Sequence, residues 1–214
     1  MQRFLITAAA MLLGAAALVF LFRAPLKDVA IDQLTANMFV AEDRDSFDPG
    51  PALGSHFPGL RALYQGRDIT RLDEFSGEHG TIFIASRSLD WCPYCMRQMI
   101  HLQQHKAGFD AAGIGMVGMT YDDPALQRAF IDKFAISIPI LSDNKALSFK
   151  TLGILNEKYQ PGDMQYGIPH PGMIIIDTRG KVVGKLFLEA YSTRVDSAAA
   201  LAFARASLGL EQGR

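Results

Sequence analysis

The chain has 214 residues, 49% of them hydrophobic and 20% charged, and a formal net charge of −1. That balance excludes a nucleic-acid binder working through a basic surface, and the lack of long charge runs excludes a solvated tail. Two cysteines are too few for a disulfide-stapled secreted scaffold, so a core must come from ordinary hydrophobic burial.

Residues 4–22, FLITAAAMLLGAAALVFLF, form a run of 19 without a charge. At ~1.5 Å per residue such a helix spans nearly ~30 Å, the thickness of a bilayer's hydrocarbon core. The run ends in Phe20, Leu21, Phe22 and Arg23, which lack the small residues of a cleavage site. Residues 1–23 therefore read as a transmembrane anchor or uncleaved signal that places the chain on a lipid bilayer, with a cleaved signal peptide as the alternative. Arg3 before the run and Arg23 and Lys27 after it nearly balance in the positive-inside rule. The anchor and the scarcity of cysteine favour a domain on the periplasmic or extracytoplasmic side.

Residues 24–50 read as a tether, with a short helix over 28–40 and a loop rich in turn formers after it. A domain over residues 51–210 follows. Within it, RALYQGRDITRL (61–72) reads as two short strands around Gly66, an N-terminal β-hairpin. TIFIAS (81–86) is an apolar, β-branched strand, and a helix begins at Pro93. IGMVGMTY (114–121) is a second buried strand, after which Asp122 and Asp123 are cap candidates for the helix ALQRAFIDKF. SIPILSD (137–143) is extended and 144–152 helical. MIIID and KVVGKLF bracket the turn TRG as a hairpin, and Ser192 or Thr193 caps a last helix running to about 208. Strands alternating with helices predict an α/β fold with a central mixed β-sheet flanked by helices.

Both cysteines lie in DWCPYC (90–95), between the first buried strand and its helix. Cys92 thus sits at a helix N-terminus, where free N–H groups and the macrodipole favour a thiolate below the ~8.5 of free cysteine. Cys95, one turn later, can reach it sulfur to sulfur, and Pro93 suits the first turn because its missing N–H has no partner there anyway. In dithiol exchange, Cys92 attacks a disulfide and Cys95 resolves the mixed disulfide. Two other accounts are weaker. A disulfide closing so small a loop removes little entropy from the unfolded chain. A zinc site needs a second pair of ligands. His101 and His105, on one helix face, read as a surface pair.

With MTYDD, ISIPILSD, LGIL and HPGMIIIDTRGKVV following in order, the motif resembles the redoxin, or AhpC/TSA, branch of the thioredoxin-like superfamily. That branch includes peroxiredoxins and membrane-anchored thiol–disulfide oxidoreductases. The resemblance implies a thioredoxin-like fold with the extra hairpin, and a helix and strand inserted between its two halves. It also implies a cis proline before the fourth core strand, beside the sulfurs. Pro171 matches that position, with Pro169 as its rival, and His170 would then neighbour the cysteines.

The peroxiredoxin pattern has a proline seven residues before the attacking cysteine, a threonine or serine three before it, and an arginine in place of Pro171. This chain has Ala85, Leu89 and Pro171 there. Ser88 is one residue off, and Arg87 or Arg97 could supply the guanidinium. Trp91 and the two-residue spacer match thioredoxin-type exchange, with Tyr94 as a contact for a partner. The resulting expectation is a thiol–disulfide oxidoreductase acting on protein or low-molecular-weight thiols and disulfides, with no cofactor and no nucleic acid. A thiol peroxidase working through Cys92 is the alternative, and a copper chaperone with Cys92, Cys95 and His170 as ligands a third. Arg194, Tyr191 and Glu189 could line the substrate face or simply lie on the surface.

Overall fold

The structure, a computed structural model, describes residue 29 and residues 31–143 and 145–210. The anchor read over residues 4–22 lies outside them. Contacts divide the chain into two compact units, Met1–Asn37 and Met38–Arg214. In the first, residues 31–35 are helical (α1).

In the second unit, seven strands form one sheet in the order β3-β2-β6-β5-β4-β7-β8. Its centre is β4 (Gly80–Ala85), flanked by β5 (Ile114–Thr120), which runs parallel to it, and β7 (Gly172–Asp177), which runs antiparallel. β6 (Ile140–Ser142) extends the parallel part, and β8 (Val182–Phe187) closes the far edge as a hairpin with β7. β2 (Ala62–Tyr64) and β3 (Arg67–Ile69) are the expected hairpin, with Gln65 and Gly66 at φ 49° and 78°. Successive positive φ values make the tight turn that a two-residue hairpin loop needs.

Alternation along the strands supplies two cores. Ile82 and Ile84 pack with Met99, Leu102 and Phe109 of α2 (Pro93–Ala111), Phe130 of α3 (Pro124–Phe134) and Ala200 and Ala204 of α5 (Ser197–Ser207). Phe83 and Ala85 face the other way, onto Phe149 of α4 (Leu147–Thr151), Leu152, Ile154 and Leu60. Burying both faces is what makes β4 an uninterrupted apolar run. This is the α/β architecture expected, a central mixed sheet with helices on both faces.

The segment read as a tether differs. Met38 to Gly50 belong to the folded unit. β1 (Phe39–Val40) pairs in parallel with β9 (Arg194–Val195). Asp43 and Asp45 then accept the N–H groups of Phe187 (3.0 Å) and Glu189 (2.9 Å). β8 is an edge strand, and Asp43 satisfies the N–H of its last residue, which would otherwise stay open. The helix expected over 28–40 therefore stops short of Phe39. At the other end, Asp196 and not Ser192 or Thr193 caps α5, accepting the N–H of Ala198 at 2.8 Å.

Candidate active site

Past β4, Ser86 N–H donates to Met119 O (2.9 Å), keeping the chain beside β5 for one more residue. The buried Ser88 hydroxyl then accepts the N–H groups of Asp90 (3.0 Å) and Trp91 (3.3 Å), turning the chain towards α2. Leu89 N–H donates to Asp122 Oδ2 at 2.7 Å. Thr120 Oγ1 donates to the same carboxylate (3.0 Å) and accepts from Gln127 Nε2 (3.0 Å). Burial raises the Asp122 carboxyl above its ordinary value, only partly offset by these donors. Asp123 is the cap of α3, as its neighbour is not. Asp122 is instead the buried post on which the cysteine loop hangs.

Cys92 is the N-cap of α2, with Pro93 at the first helical position, and Cys95 N–H points at its sulfur from 3.3 Å. Cys92 and Cys95 are joined as a disulfide with their Cα atoms 5.3 Å apart. Both are fully buried.

Two guanidiniums reach the sulfurs. Arg87 Nη2 lies 3.7 Å from Cys92 Sγ, and Arg194 Nη2 lies 3.6 Å from Cys95 Sγ. Arg194 is only 2% exposed. Its other donors go to Gln98 Oε1 (2.9 Å) and to the carbonyls of Tyr191 (2.8 Å) and Thr193 (2.7 Å). Burial first, and the charge of Arg87 second, press its pKa down to about 9, so it remains a cation at neutral pH. Burial also lowers Arg87, against the opposing influence of Tyr159, Tyr191 and Tyr94. The Arg87 guanidinium is held between the rings of Trp91 (5.4 Å) and Tyr191 (4.9 Å). Trp91 Nε1 donates to the Tyr121 hydroxyl (2.8 Å), and Tyr94 meets Tyr191 edge-on.

Several expectations are corrected here. Pro171 is buried before β7, but no peptide bond among the described residues is cis, at Pro171 or Pro169. His170 is half-buried immediately before Pro171. Its N–H donates to Ile154 O (2.7 Å), its ring stands edge-on to Phe47 (4.9 Å), and burial lowers its pKa. No group of three potential metal ligands, the set Cys92, Cys95 and His170 included, gathers among the described residues. His101 and His105 are no loose surface pair. His101 Nδ1 lies 2.8 Å from Ser197 Oγ and its ring packs on Phe39 and His105, tying α2 to the start of α5 and to β1.

A family model described as AhpC/TSA family matches residues 53–185. The chain is 26% identical over 132 residues to a putative peroxiredoxin bcp of Haemophilus influenzae, covering 62% of this chain and 83% of that one. It is 27% identical over 95 residues to the thiol-disulfide oxidoreductase ResA of Halalkalibacterium halodurans, 44% of this chain and 46% of that one. Among solved structures, peroxidoxin BcpB from Mycobacterium tuberculosis superposes with a TM-score of 0.60 at 19% identity, covering 75% of this chain and 98% of that one. Peroxiredoxin Q of Xanthomonas campestris gives 0.57 at 22%, covering 70% and 91%.

Proposed function

The chain is an oxidoreductase belonging to the AhpC/TSA family, and we propose that it is a thiol–disulfide oxidoreductase exchanging electrons through Cys92 and Cys95. The observation that carries this reading is the disulfide across the first turn of α2, with a guanidinium on each sulfur. Cys92 takes the attacking role because it holds the helix N-terminus, where N–H groups and Arg87 stabilise its anion. Cys95, one turn on and beside Arg194, resolves. Trp91, Tyr94 and Tyr191 present aromatic surface around the pair, where the partner protein or small thiol docks. Residues 1–23 hold the domain to a bilayer on its extracytoplasmic side, where disulfide exchange is at home.

Cys92→Ser is expected to abolish reduction of insulin disulfides, and Cys95→Ser to accumulate mixed disulfides with the partner. Retained activity in Cys92→Ser would end the proposal.

One observation favours a second reading, the thiol peroxidase. Leu89 and Pro171 leave the peroxiredoxin pattern without its hydroxyl and guanidinium, yet Arg87 supplies a guanidinium 3.7 Å from Cys92 Sγ. Such a donor can polarise an O–O bond beside a thiolate. Oxidation of Cys92 by peroxide in stopped flow at rates well above free cysteine would select this reading. A rate like that of free cysteine would remove it.

A further inference from the structure

The two guanidiniums face sulfurs that carry no charge while the disulfide is intact. Among the described residues no carboxylate is ion-paired with Arg87 or Arg194. Asp122 is turned to Leu89 N–H and Thr120, and Asp90 is exposed. The remaining titratable groups around Arg87 are the phenols of Tyr94 on α2, Tyr159 before β7 and Tyr191 after β8. Arg194 meets only neutral acceptors, and the positive charge of Arg87 opposes its own. Burying a charge without a counter-charge is costly, and two like charges close together add to that cost. Cleaving the disulfide generates the missing anions at the ends of both hydrogen bonds.

We propose that Arg87 and Arg194 together favour the reduced state of the Cys92–Cys95 couple, so that the disulfide acts as an acceptor of electrons from substrate dithiols, with Arg194 making Cys95 the better leaving group. This rests on the dithiol-exchange reading above and adds its direction.

A substrate thiolate attacks Cys92 Sγ. The Cys92–Cys95 bond breaks, and its electron pair leaves on Cys95 Sγ beside Arg194. The substrate's second thiolate then attacks the substrate sulfur of the mixed disulfide and releases Cys92 as a thiolate beside Arg87. The substrate dithiol is oxidised to a disulfide, the protein's disulfide takes up the two electrons, and the two substrate protons pass to solvent. A leaving thiol of lower pKa leaves faster, which is the part that Arg194 plays.

The full-length protein is equilibrated with mixtures of reduced and oxidised glutathione, and the ultraviolet absorbance of the reduced form is titrated with acid to follow the thiolates. Arg194→Gln is expected to lower the equilibrium constant for oxidising glutathione about tenfold, ~30 mV for this two-electron couple, and to raise the pH at which Cys95 ionises. Arg87→Gln shifts the constant in the same direction through Cys92, and Arg194→Lys restores most of what Gln removes. Should Arg194→Gln fail to fold, Arg87→Gln at a half-buried position carries the same measurement. An equilibrium constant within twofold of wild type in the Gln variants, or a Lys variant no better than Gln, would overturn the inference and leave the exchange reading intact. A wild-type protein with no reversible Cys92–Cys95 equilibrium would instead overturn the exchange reading itself.

Discussion

Asp122 shows how one buried carboxylate can organise a reactive loop. Its oxygen takes the Leu89 N–H and the Thr120 hydroxyl, so the turn into α2 is held three residues before Cys92. Burial raises its carboxyl, which means that the folded state favours the protonated form. For a raised acid, the stabilisation is complete below the ordinary 3.8 and is lost as pH rises through the folded value. Asp122→Asn keeps a neutral acceptor for Leu89 and does not titrate. In urea titrations, wild type should lose stability relative to Asp122→Asn as the pH rises above the ordinary 3.8. A difference that stays flat or moves the other way would show that the carboxyl is not raised. Asp122→Ala, which orphans the buried Leu89 N–H, should cost about 1–3 kcal/mol across that range. At this scale the cysteine pair was legible because its chemistry is local, packed into six residues. Arg194 could be named only as a residue of the substrate face or the surface, because it lies 99 positions from the sulfur that it touches and no periodic pattern announces that contact. Asp122 was visible as a residue and misread in role, since Asp before a helix most often caps it.

The loop between β8 and β9 decides access to the sulfurs. Tyr191 is 57% exposed, yet its ring covers Arg87 and abuts Tyr94, and beneath these both sulfurs are shut off from solvent. Tyr191→Ala removes that cover without opening the core. Reduction of the disulfide by dithiothreitol is expected to speed up several-fold, at a stability cost of about 1 kcal/mol or less, as for an exposed aromatic pair. An unchanged rate would mean that reductants reach the sulfurs by another route. Long elements were readable from the chain alone, because β4, β5, α2 and α3 carry apolar runs or capped helical patterns of six to nineteen residues. β1 and β9 have two residues each, too short for any period, and exist only because each finds the other across the fold. Their pairing is also what carries Arg194 to Cys95, and so the least legible element positions the least legible residue.

Across the whole molecule, no helix among the described residues is long and apolar enough to cross a membrane. The proposed attachment to a bilayer rests on the sequence of residues 4–22, whose 19 uncharged positions would, as a helix, match the hydrocarbon thickness. Placing arginine at the centre of such a helix costs about 2.5–3.5 kcal/mol per residue on insertion scales. The full-length chain is thus expected to stay with the membrane pellet through an alkaline carbonate wash, whereas the double variant Leu12→Arg, Leu13→Arg washes free with its fold unchanged. A wild-type chain recovered in the wash supernatant would remove the anchor. Orientation has its own test, protease added to intact spheroplasts. An outward domain is degraded at once, and one that survives until lysis faces the reducing cytosol. In that compartment thiols are kept reduced and an electron-accepting disulfide would be discharged without a substrate, so the side of the membrane and the direction of electron flow stand or fall together.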